Sequence, residues 1–227
     1  MTRYSGRLTR TAAEIAEAQR LRWRVYGEEE QLLPASACRD GREIDTRDRD
    51  PGTAHVIVRA GGEVVGTVRL LFPAPTRALA ALAPWGCAPA EITRFCVRRA
   101  YRNTGVTPAL FAALRAESVR RGITHWVAAA NTETTIAEEA ALACRIARAK
   151  GYVADASPGG GRDQTAPDLD YVLASLDLPR TLSVFARRMG ARFAGCPIYD
   201  PYFGVFALPL VVALAGSPDA RLWTSTT

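Results

Sequence analysis

Two β-rich runs joined by a pair of glycines constrain the fold of this chain more than any other feature. Residues 54–60 and 63–72 are dominated by β-branched and aliphatic side chains. The dipeptide Gly61-Gly62 between them tolerates the positive φ angles that a two-residue hairpin turn requires. The sequence therefore predicts an antiparallel hairpin here, and a third β-rich run over residues 91–98 predicts another strand.

Capping patterns mark the ends of two predicted helices. Thr11 followed three residues later by Glu14 is the pattern of a capping box, which predicts a helix over residues 11–26. Thr107 followed by a proline is typical of a helix start. Gly122 is typical of the residue just past a helix end, so a second helix is predicted between them.

Strand and helix patterns alternate along the rest of the chain. The remaining predicted elements are a strand over 123–131, helices over 136–150 and 182–189, and two β-like runs around Pro209 within 203–214. Strands followed by a helix and another strand predict an α/β fold with some antiparallel pairing in the sheet.

Composition favours one globular domain. The chain has 227 residues, of which 48% are hydrophobic and 23% charged, as in average globular proteins. We expect a single domain over residues 1–227, with a possible insertion at about 132–180, where the Gly- and Pro-rich stretch 157–168 lacks the Gly-Lys-Ser/Thr of a phosphate-binding loop. The longest apolar run, residues 202–215, is shorter than the roughly 18–20 residues that span a bilayer. We therefore expect a cytoplasmic protein with no integral membrane association.

Cysteines and net charge narrow the choice of ligands and partners. The five cysteines are scattered without a CxxC pair, which is typical of reduced thiols in a cytosolic protein. With only two histidines in the chain, we expect no metal site. The net charge of +6 favours an acidic partner. Because no aromatic residues are interleaved with the arginines, we do not expect that partner to be nucleic acid.

Charged residues inside apolar strand-like runs are the feature most informative about function. Arg69 and Arg94 are each flanked by aliphatic or aromatic residues. A strand buries at least one face, and a buried charge needs an opposite charge beside it. Asp45, Asp48 and Glu91 are candidate partners. An arginine–carboxylate network of this kind can be a structural device or a means of orienting a substrate.

Four short stretches stand out together, namely residues 21–26, 43–48, 66–71 and 91–95. As a set they resemble the acyl-homoserine-lactone (autoinducer) synthases and the long-chain N-acyl amino acid synthases, within the GNAT acyltransferase superfamily. The autoinducer synthases are marked by an Arg and an aromatic four residues apart on the first helix, an Asp-x-x-Asp, an Arg on a strand and a Glu-x-x-Arg on a later strand. The matching residues are Arg22 and Tyr26, Asp45 and Asp48, Arg69, and Glu91 and Arg94. The resemblance covers residues 11–131. It implies a GNAT-like α/β/α sandwich with a mixed, largely antiparallel central sheet.

The resemblance also implies an acyltransferase mechanism. A thioester-bound acyl group would lie in a gap between two central strands and be attacked by a neutral amine. Glu91 is our candidate general base, acting through water. Arg94 and Arg69 would hold the carboxylates in place or fix the acceptor, and strand N–H groups just after Phe95 would receive the oxyanion. Because Glu91 and Arg94 have opposite parity on a regular strand, a bulge is required if both face the site.

The acyl donor is expected to bind at the end of the third strand and the loop after it. In acetyl-CoA enzymes of the superfamily, an Arg/Gln-x-x-Gly-x-Gly/Ala loop cradles the pyrophosphate at a helix start. Here Arg102 to Gly105 supplies half of that pattern, and Thr107 stands where the second glycine would be. We therefore expect an acyl-phosphopantetheine on an acidic acyl carrier protein as co-substrate, with CoA as the second choice and no permanently bound cofactor. The expected donor-binding residues are Phe95, Cys96, Val97, Arg98, Arg99, Arg102 and Gly105.

The acceptor is expected to be a small, amino-acid-like amine. By resemblance, Arg22, Tyr26, Asp45 and Asp48 would bind it. Family members carry a Trp a few residues past the helix aromatic, whereas this chain has Leu32 near that place, so an aromatic face for a sulfonium is missing. A homoserine-lactone synthase using S-adenosylmethionine is the first alternative, and a non-catalytic GNAT-like binding module is the second. A DNA-binding regulator is the weakest option.

Overall fold

The computed structural model describes residues 4–153 and 167–214. Within these ranges the chain forms two compact units, built from residues up to 76 with 88–124, and from 77–87 with the described residues from 125 onward. The expectation of one domain with an insertion at about 132–180 stays a prediction. That expectation depends on the Gly- and Pro-rich stretch 157–168, of which residues 157–166 lie outside the described residues.

The described residues form short and long elements of both kinds. The strands are β1 (Gly6–Leu8), β2 (Cys38–Arg39), β3 (Arg42–Glu43), β4 (Ala54–Ala60), β5 (Glu63–Leu71), β6 (Pro89–Val97), β7 (His125–Asn131), β8 (Arg192–Phe193), β9 (Ile198–Asp200) and β10 (Val205–Ala213). The α-helices are α1 (Ala12–Trp23), α2 (Arg77–Ala80), α3 (Val106–Arg120), α4 (Ala137–Ala149), α5 (Pro167–Ser175) and α6 (Arg180–Met189). Further turns are the π-helical Arg24–Glu29 and the 3-10 turns Ala35–Ala37, Thr46–Arg49 and Arg99–Tyr101.

Four antiparallel strands of the first unit lie in the order β1-β4-β5-β6. The β4–β5 hairpin turns at Gly61-Gly62, as the sequence predicted. Gly66 lies where β5 meets α3, and a Cβ there would come within 2.6 Å of Val106 Cγ1. Since neighbouring residues of a strand face opposite sides, Val68 shares the face of Gly66, and Arg69 lies on the other face. A helix therefore packs against one face of the sheet, and the charged side chains occupy the other.

A β-bulge interrupts the pairing of β5 with β6. Thr67 pairs with Cys96 and Arg69 pairs with Thr93, so Val68 lies opposite two residues, Arg94 and Phe95. Arg94 has a φ angle of 54°, in the left-handed region that non-glycine residues rarely occupy. The bulge turns the Arg94 side chain to the face that carries Arg69, as the contacts below show. The bulge required by the sequence argument is therefore present, at Arg94 itself.

The starts of α1 and α3 differ from the capping patterns in the sequence. Thr11 accepts a hydrogen bond from the Glu14 backbone N–H at 3.2 Å, but the Glu14 carboxylate accepts from Arg10 N at 2.6 Å. Only half of the predicted capping box therefore forms. Helix α3 begins at Val106 with Gly105 as its N-cap, so the prediction of Thr107 as N-cap was wrong by two residues.

The second unit is built around β10. This strand pairs antiparallel with β7, β8 and β9. Pro209 lies inside β10, opposite Ala129, and the prediction of two separate β-like runs was wrong. The proline lacks only its own N–H, while its carbonyl still accepts from Ala194 N at 2.9 Å, so the strand continues through it. No helix among the described residues is long and apolar enough to cross a membrane.

Candidate active site

Six charged side chains form a buried cluster in the first unit. They come from α1, from the segment of β3 and the 3-10 turn after it, and from β5 and β6. The arginines are Arg22, Arg69 and Arg94, and the carboxylates are Glu43, Asp45 and Asp48. Each arginine contacts two of the carboxylates, so the formal charges balance within the cluster.

Asp48 lies at the centre of this cluster. Arg22 donates to both of its carboxylate oxygens, at 2.8 and 2.6 Å, and Arg69 Nη1 donates at 2.8 Å. Gln19 Nε2 adds a bond at 2.8 Å and the Asp45 N–H adds one at 3.1 Å. Burial alone would raise the pKa of Asp48, but the hydrogen bond and charge of Arg22 outweigh it and hold that pKa far below its ordinary value. Asp48 is therefore a permanent anion that ties α1 to the sheet.

Asp45 and Glu43 link the cluster to the bulge. Arg94 donates through Nη2 to Asp45 at 2.6 Å and through Nε to Glu43 at 3.0 Å. Arg69 Nη1 also donates to Asp45, at 2.9 Å. Burial raises the pKa of Asp45, but Arg69 and Arg94 lower it further, so that pKa lies below its usual range. The Asp45 side chain is 19% exposed, against 1% for that of Asp48, so Asp45 is the carboxylate that a ligand can reach.

Arg22 is enclosed by its partners. Its Nε lies 2.5 Å from Glu43 Oε2, and its Nη2 donates to the Glu43 carbonyl at 2.7 Å. Burial lowers the pKa of Arg22, while Asp48 and Glu43 raise it by more, so the group stays charged. His55, opposite Arg69 on β4, has its Nε2 3.0 Å from the Asp48 carbonyl. Burial lowers the pKa of His55, and the charges of Arg22 and Arg69 lower it as well, which favours the neutral ring.

Tyr26 reaches the bulge from the π-helical turn after α1. Its hydroxyl donates to the Phe95 carbonyl at 3.0 Å. The neighbouring Cys96 is buried, and burial raises the pKa of its thiol to about 12. This cysteine is therefore not a ready nucleophile at neutral pH.

Glu91 lies apart from the arginines that it was expected to accompany. The structure confirms Asp45 as a partner of Arg94, but the Glu91 carboxylate accepts from the Thr76 backbone N–H at 3.1 Å. Glu91 is buried at 7% exposure. Its position on β6, two residues before Thr93, places it on the strand face of Arg69. It is therefore a buried carboxylate on the face of the cluster, with no guanidinium among its described contacts.

The loop expected to bind the donor carries less free charge than the sequence indicates. Arg98 donates to Glu63 at 2.7 Å, and Arg102 Nη2 lies 2.6 Å from Glu30. Arg99 is 67% exposed, yet its backbone N–H donates to Glu29 at 2.8 Å. Of the other expected donor-binding residues, Phe95, Cys96 and Val97 lie at the end of β6 and Gly105 caps α3. Arg98 and Glu63 are partly exposed, and salt bridges of this kind are weak, so an acidic partner can exchange for that pair. Arg102 and Glu30 are mostly buried.

Sequence reasoning missed four members of the buried network, namely Gln19, Glu43, His55 and Thr93. Glu43 belongs to the same acidic stretch as Asp45, which was a usable signal. Gln19 lies one helical turn before Arg22, where i and i+3 side chains share a face. Thr93 and His55 follow only from the strand registers, which a single sequence does not provide. Among the described residues no group of His, Cys, Asp and Glu has the arrangement of a metal site.

The sequence model of the N-acyl amino acid synthase FeeM family matches residues 17–146, more than half of the chain. This protein belongs to that family. The matched segment contains every residue of the buried cluster together with Glu91. The match confirms the resemblance predicted from the sequence. No curated protein matches the chain.

The similarity to solved structures of the same fold extends over nearly the whole chain. FeeM, an N-acyl amino acid synthase from uncultured soil microbes, is 13% identical with a TM-score of 0.57 over 94% of this chain and 92% of its own. An acyl-CoA N-acyltransferase from Pseudomonas aeruginosa is 14% identical, with a TM-score of 0.55 over 93% and 99%. The CoA-dependent acyl-homoserine lactone synthase BjaI is 17% identical, with a TM-score of 0.55 over 99% and 92%.

These similarities confirm the predicted fold class, a mixed α/β protein of GNAT type with mainly antiparallel strands. Family membership makes the protein an acyltransferase enzyme. Its reaction is acyl transfer by an N-acyltransferase.

Proposed function

We propose that this N-acyltransferase moves an acyl group from a phosphopantetheine thioester to the amine of an amino-acid-like acceptor. The observation that carries this proposal is the β6 bulge at Arg94–Phe95, which lies within the segment matched by the N-acyl amino acid synthase family. A bulge leaves backbone groups of the strand outside the ladder. Such groups can receive the oxygen of a reacting thioester carbonyl.

The chemical step requires removal of a proton. The neutral amine nitrogen attacks the thioester carbonyl, a C–N bond forms and the C–S bond breaks. The proton that the nitrogen loses to the base is passed to the leaving thiolate, which departs as a thiol. We assign general-base catalysis to Glu91, acting through water. The Thr76 N–H holds the Glu91 carboxylate at 3.1 Å and leaves its second oxygen for that water. Backbone N–H groups of the bulge stabilise the oxyanion that develops on the carbonyl.

The buried arginines are proposed to shape the site and not to bind substrate. Arg69 and Arg94 each donate to carboxylates of the cluster, as does Arg22. A guanidinium that already pairs with two carboxylates gains little from a third carboxylate on a substrate. Moving the guanidinium towards a substrate would leave the two protein carboxylates buried and unpaired. Asp45 has the most exposed side chain of the three carboxylates. Asp45 is also held by two arginines, but its side chain is more exposed than that of Arg69 or Arg94. We therefore assign recognition of the acceptor ammonium to Asp45, supported by the loop that Asp48 and Arg22 hold in place.

The donor is proposed to be an acyl group on an acidic carrier protein. The exposed Arg99 and the degenerate loop up to Gly105 support this choice, because a carrier protein needs surface charge where CoA needs a full phosphate cradle. The structural neighbour BjaI is CoA-dependent, so acyl-CoA is the alternative. A carrier-protein donor predicts turnover that falls steeply as salt rises, since exposed charge pairs are screened.

The test is product detection by mass spectrometry. The purified protein is incubated with acyl carrier protein or CoA thioesters and a panel of amines that includes S-adenosylmethionine. We expect an N-acylated amino-acid-like product, with acyl carrier protein preferred at low salt. Release of methylthioadenosine with an acyl lactone would instead identify an autoinducer synthase. Thioester binding without turnover of any amine would leave a binding module.

Glu91→Gln tests the assignment of the base. We expect it to fold normally and to lower kcat about 100-fold or more, the usual contribution of a general base. Glu138→Gln is the matched control, since Glu138 is exposed on α4. Retention of most activity by Glu91→Gln at neutral pH would remove Glu91 from the mechanism.

A further inference from the structure

Tyr26 makes a contact that the charge cluster does not explain. Its side chain is buried, at 8% exposure, and its hydroxyl donates to the carbonyl of Phe95, the second residue of the bulge. Tyr26 and Phe95 are 69 positions apart in the chain. The bond therefore joins the first helical segment directly to the irregular part of β6.

The main chain around Tyr26 is itself fixed. Its carbonyl accepts hydrogen bonds from Leu32 N at 2.8 Å and from Leu33 N at 3.3 Å. Gly27 lies under the Trp23 ring, where a Cβ would come within 2.5 Å of Trp23 Cζ3. These contacts hold the main chain in place on both sides of the Tyr26 side chain.

The register of β5 and β6 shows where the Phe95 carbonyl points. Arg98 N donates to Val65 O at 3.0 Å, and hydrogen-bonded pairs alternate along an antiparallel ladder. Cys96, two residues earlier, therefore directs its N–H towards β5. Because the peptide is planar and trans, the Phe95 carbonyl points away from β5, to the side where Tyr26 lies. A fixed carbonyl fixes the plane of the whole Phe95–Cys96 peptide.

We propose that Tyr26 is a positioning residue for acyl transfer, whose hydroxyl fixes the Phe95 carbonyl and thereby the conformation of the bulge at Arg94 and Phe95. This inference rests on the proposed function, in which the bulge N–H groups receive the thioester carbonyl oxygen. In this role Tyr26 acts through the backbone of β6 and not by contact with a substrate.

The hydroxyl stays protonated over the working pH range. Burial raises the pKa of Tyr26 well above its ordinary value, more than Arg94 and Arg22 lower it. Glu43 raises it further. Tyr26 therefore remains a hydrogen-bond donor, and its contribution does not vary with pH near neutrality.

Tyr26→Phe removes the hydroxyl and keeps the ring. We expect kcat to fall about tenfold or more, with KM for both substrates within about twofold, since a mispositioned oxyanion donor affects the transition state. Tyr152→Phe is the control, because Tyr152 is a half-buried tyrosine of the second unit. Replacing Tyr26 with 4-aminophenylalanine restores a donor at the same ring position and should recover most of kcat.

A backbone measurement keeps this test independent of activity. Without substrate, the NMR shifts of the Phe95 carbonyl carbon and the Cys96 amide should change in Tyr26→Phe and not in Tyr152→Phe. A folded Tyr26→Phe with unchanged kcat and unchanged Phe95 shift would overturn the inference. If the 4-aminophenylalanine variant folds but fails to restore kcat, the hydrogen bond is not what matters. If the wild type transfers no acyl group, the proposed function fails, while the shifts still show whether Tyr26 holds the peptide.

Discussion

Three substitutions of Arg94 separate its charge from its backbone conformation. Alanine, glycine and asparagine all remove the guanidinium that contacts Glu43 and Asp45. They differ in how readily they adopt the φ angle of 54° that Arg94 has in the bulge. Glycine adopts it freely, asparagine tolerates it and alanine resists it. If the cluster serves to build the bulge, the three variants will therefore differ although their charge loss is the same.

The structure sets the expected magnitudes. The Arg94 side chain is 12% exposed and loses two ion pairs, so each variant should lose about 3–5 kcal/mol of unfolding free energy, the range for a broken buried pair. The left-handed conformation costs a non-glycine residue roughly 1–2 kcal/mol. Glycine also stabilises the unfolded chain by about 0.4–1 kcal/mol relative to alanine. The glycine variant should therefore be more stable than the alanine variant by roughly 0.8 kcal/mol, the middle of the resulting range.

Urea unfolding and steady-state kinetics provide the assay. We expect kcat to follow the order glycine, asparagine, alanine, since bulge geometry is retained in that order. Ala129→Gly is the control: Ala129 is exposed in the regular strand β7, where glycine should destabilise. Equal unfolding free energies and equal kcat for the glycine and alanine variants would refute the reasoning. Arg94 would then act through its charge, by binding a substrate group.

Two further predictions concern stability. Asp48→Asn should lower the unfolding free energy by about 3–5 kcal/mol, whereas Asp40→Asn, at an exposed position, should change it by less than about 0.5 kcal/mol. Because the pKa of Asp48 is depressed in the folded state, its stabilising contribution is complete above the unfolded-state pKa and is lost as pH falls. The wild type should therefore lose more stability than Asp48→Asn between roughly pH 5 and pH 2. Parallel losses in the two proteins would contradict this. Gly66→Ala should destabilise by about 1–3 kcal/mol in urea, because its Cβ would meet Val106 and Leu110, and an unchanged midpoint would show that α3 can shift.

Local signals predicted the hairpin and the helices well. Gly61-Gly62 forces a turn whatever the tertiary context, and the observed strands end at Ala60 and begin again at Glu63. The predicted start of α3 was two residues late, because Thr107 has a typical capping side chain whereas the observed N-cap is Gly105. Pro209 led to a wrong prediction of two separate strands. A proline removes only its own N–H from the strand pairing, and whether a strand can continue through it depends on a register that is set by strands distant in sequence.

The charge cluster was predicted in part for a similar reason. A charge inside an apolar strand must be paired, so Arg69 and Arg94 indicated buried carboxylates without any structure. Which carboxylates pair with these arginines depends on the bulge and on the path of residues 43–48. Together they bring Glu43 to Arg94, whereas Glu91 accepts a hydrogen bond from the Thr76 N–H. The contact between Tyr26 and Phe95 has no local signal, because any aromatic fits the helix pattern and only the fold brings the hydroxyl to a carbonyl.

The closed cluster of three arginines and three carboxylates has a consequence for how this enzyme can diverge or be engineered. Its members interact so closely that substitutions there will be strongly non-additive, and a variant lacking one arginine will tolerate loss of a neighbouring carboxylate better than the wild type does. Transplanting residues 43–48 from a relative would succeed only if its acidic residues match the arginines of the recipient. Under the proposed role of Asp45, acceptor preference is therefore easier to change through neighbouring positions that face solvent, such as the exposed Ile44, than through the cluster.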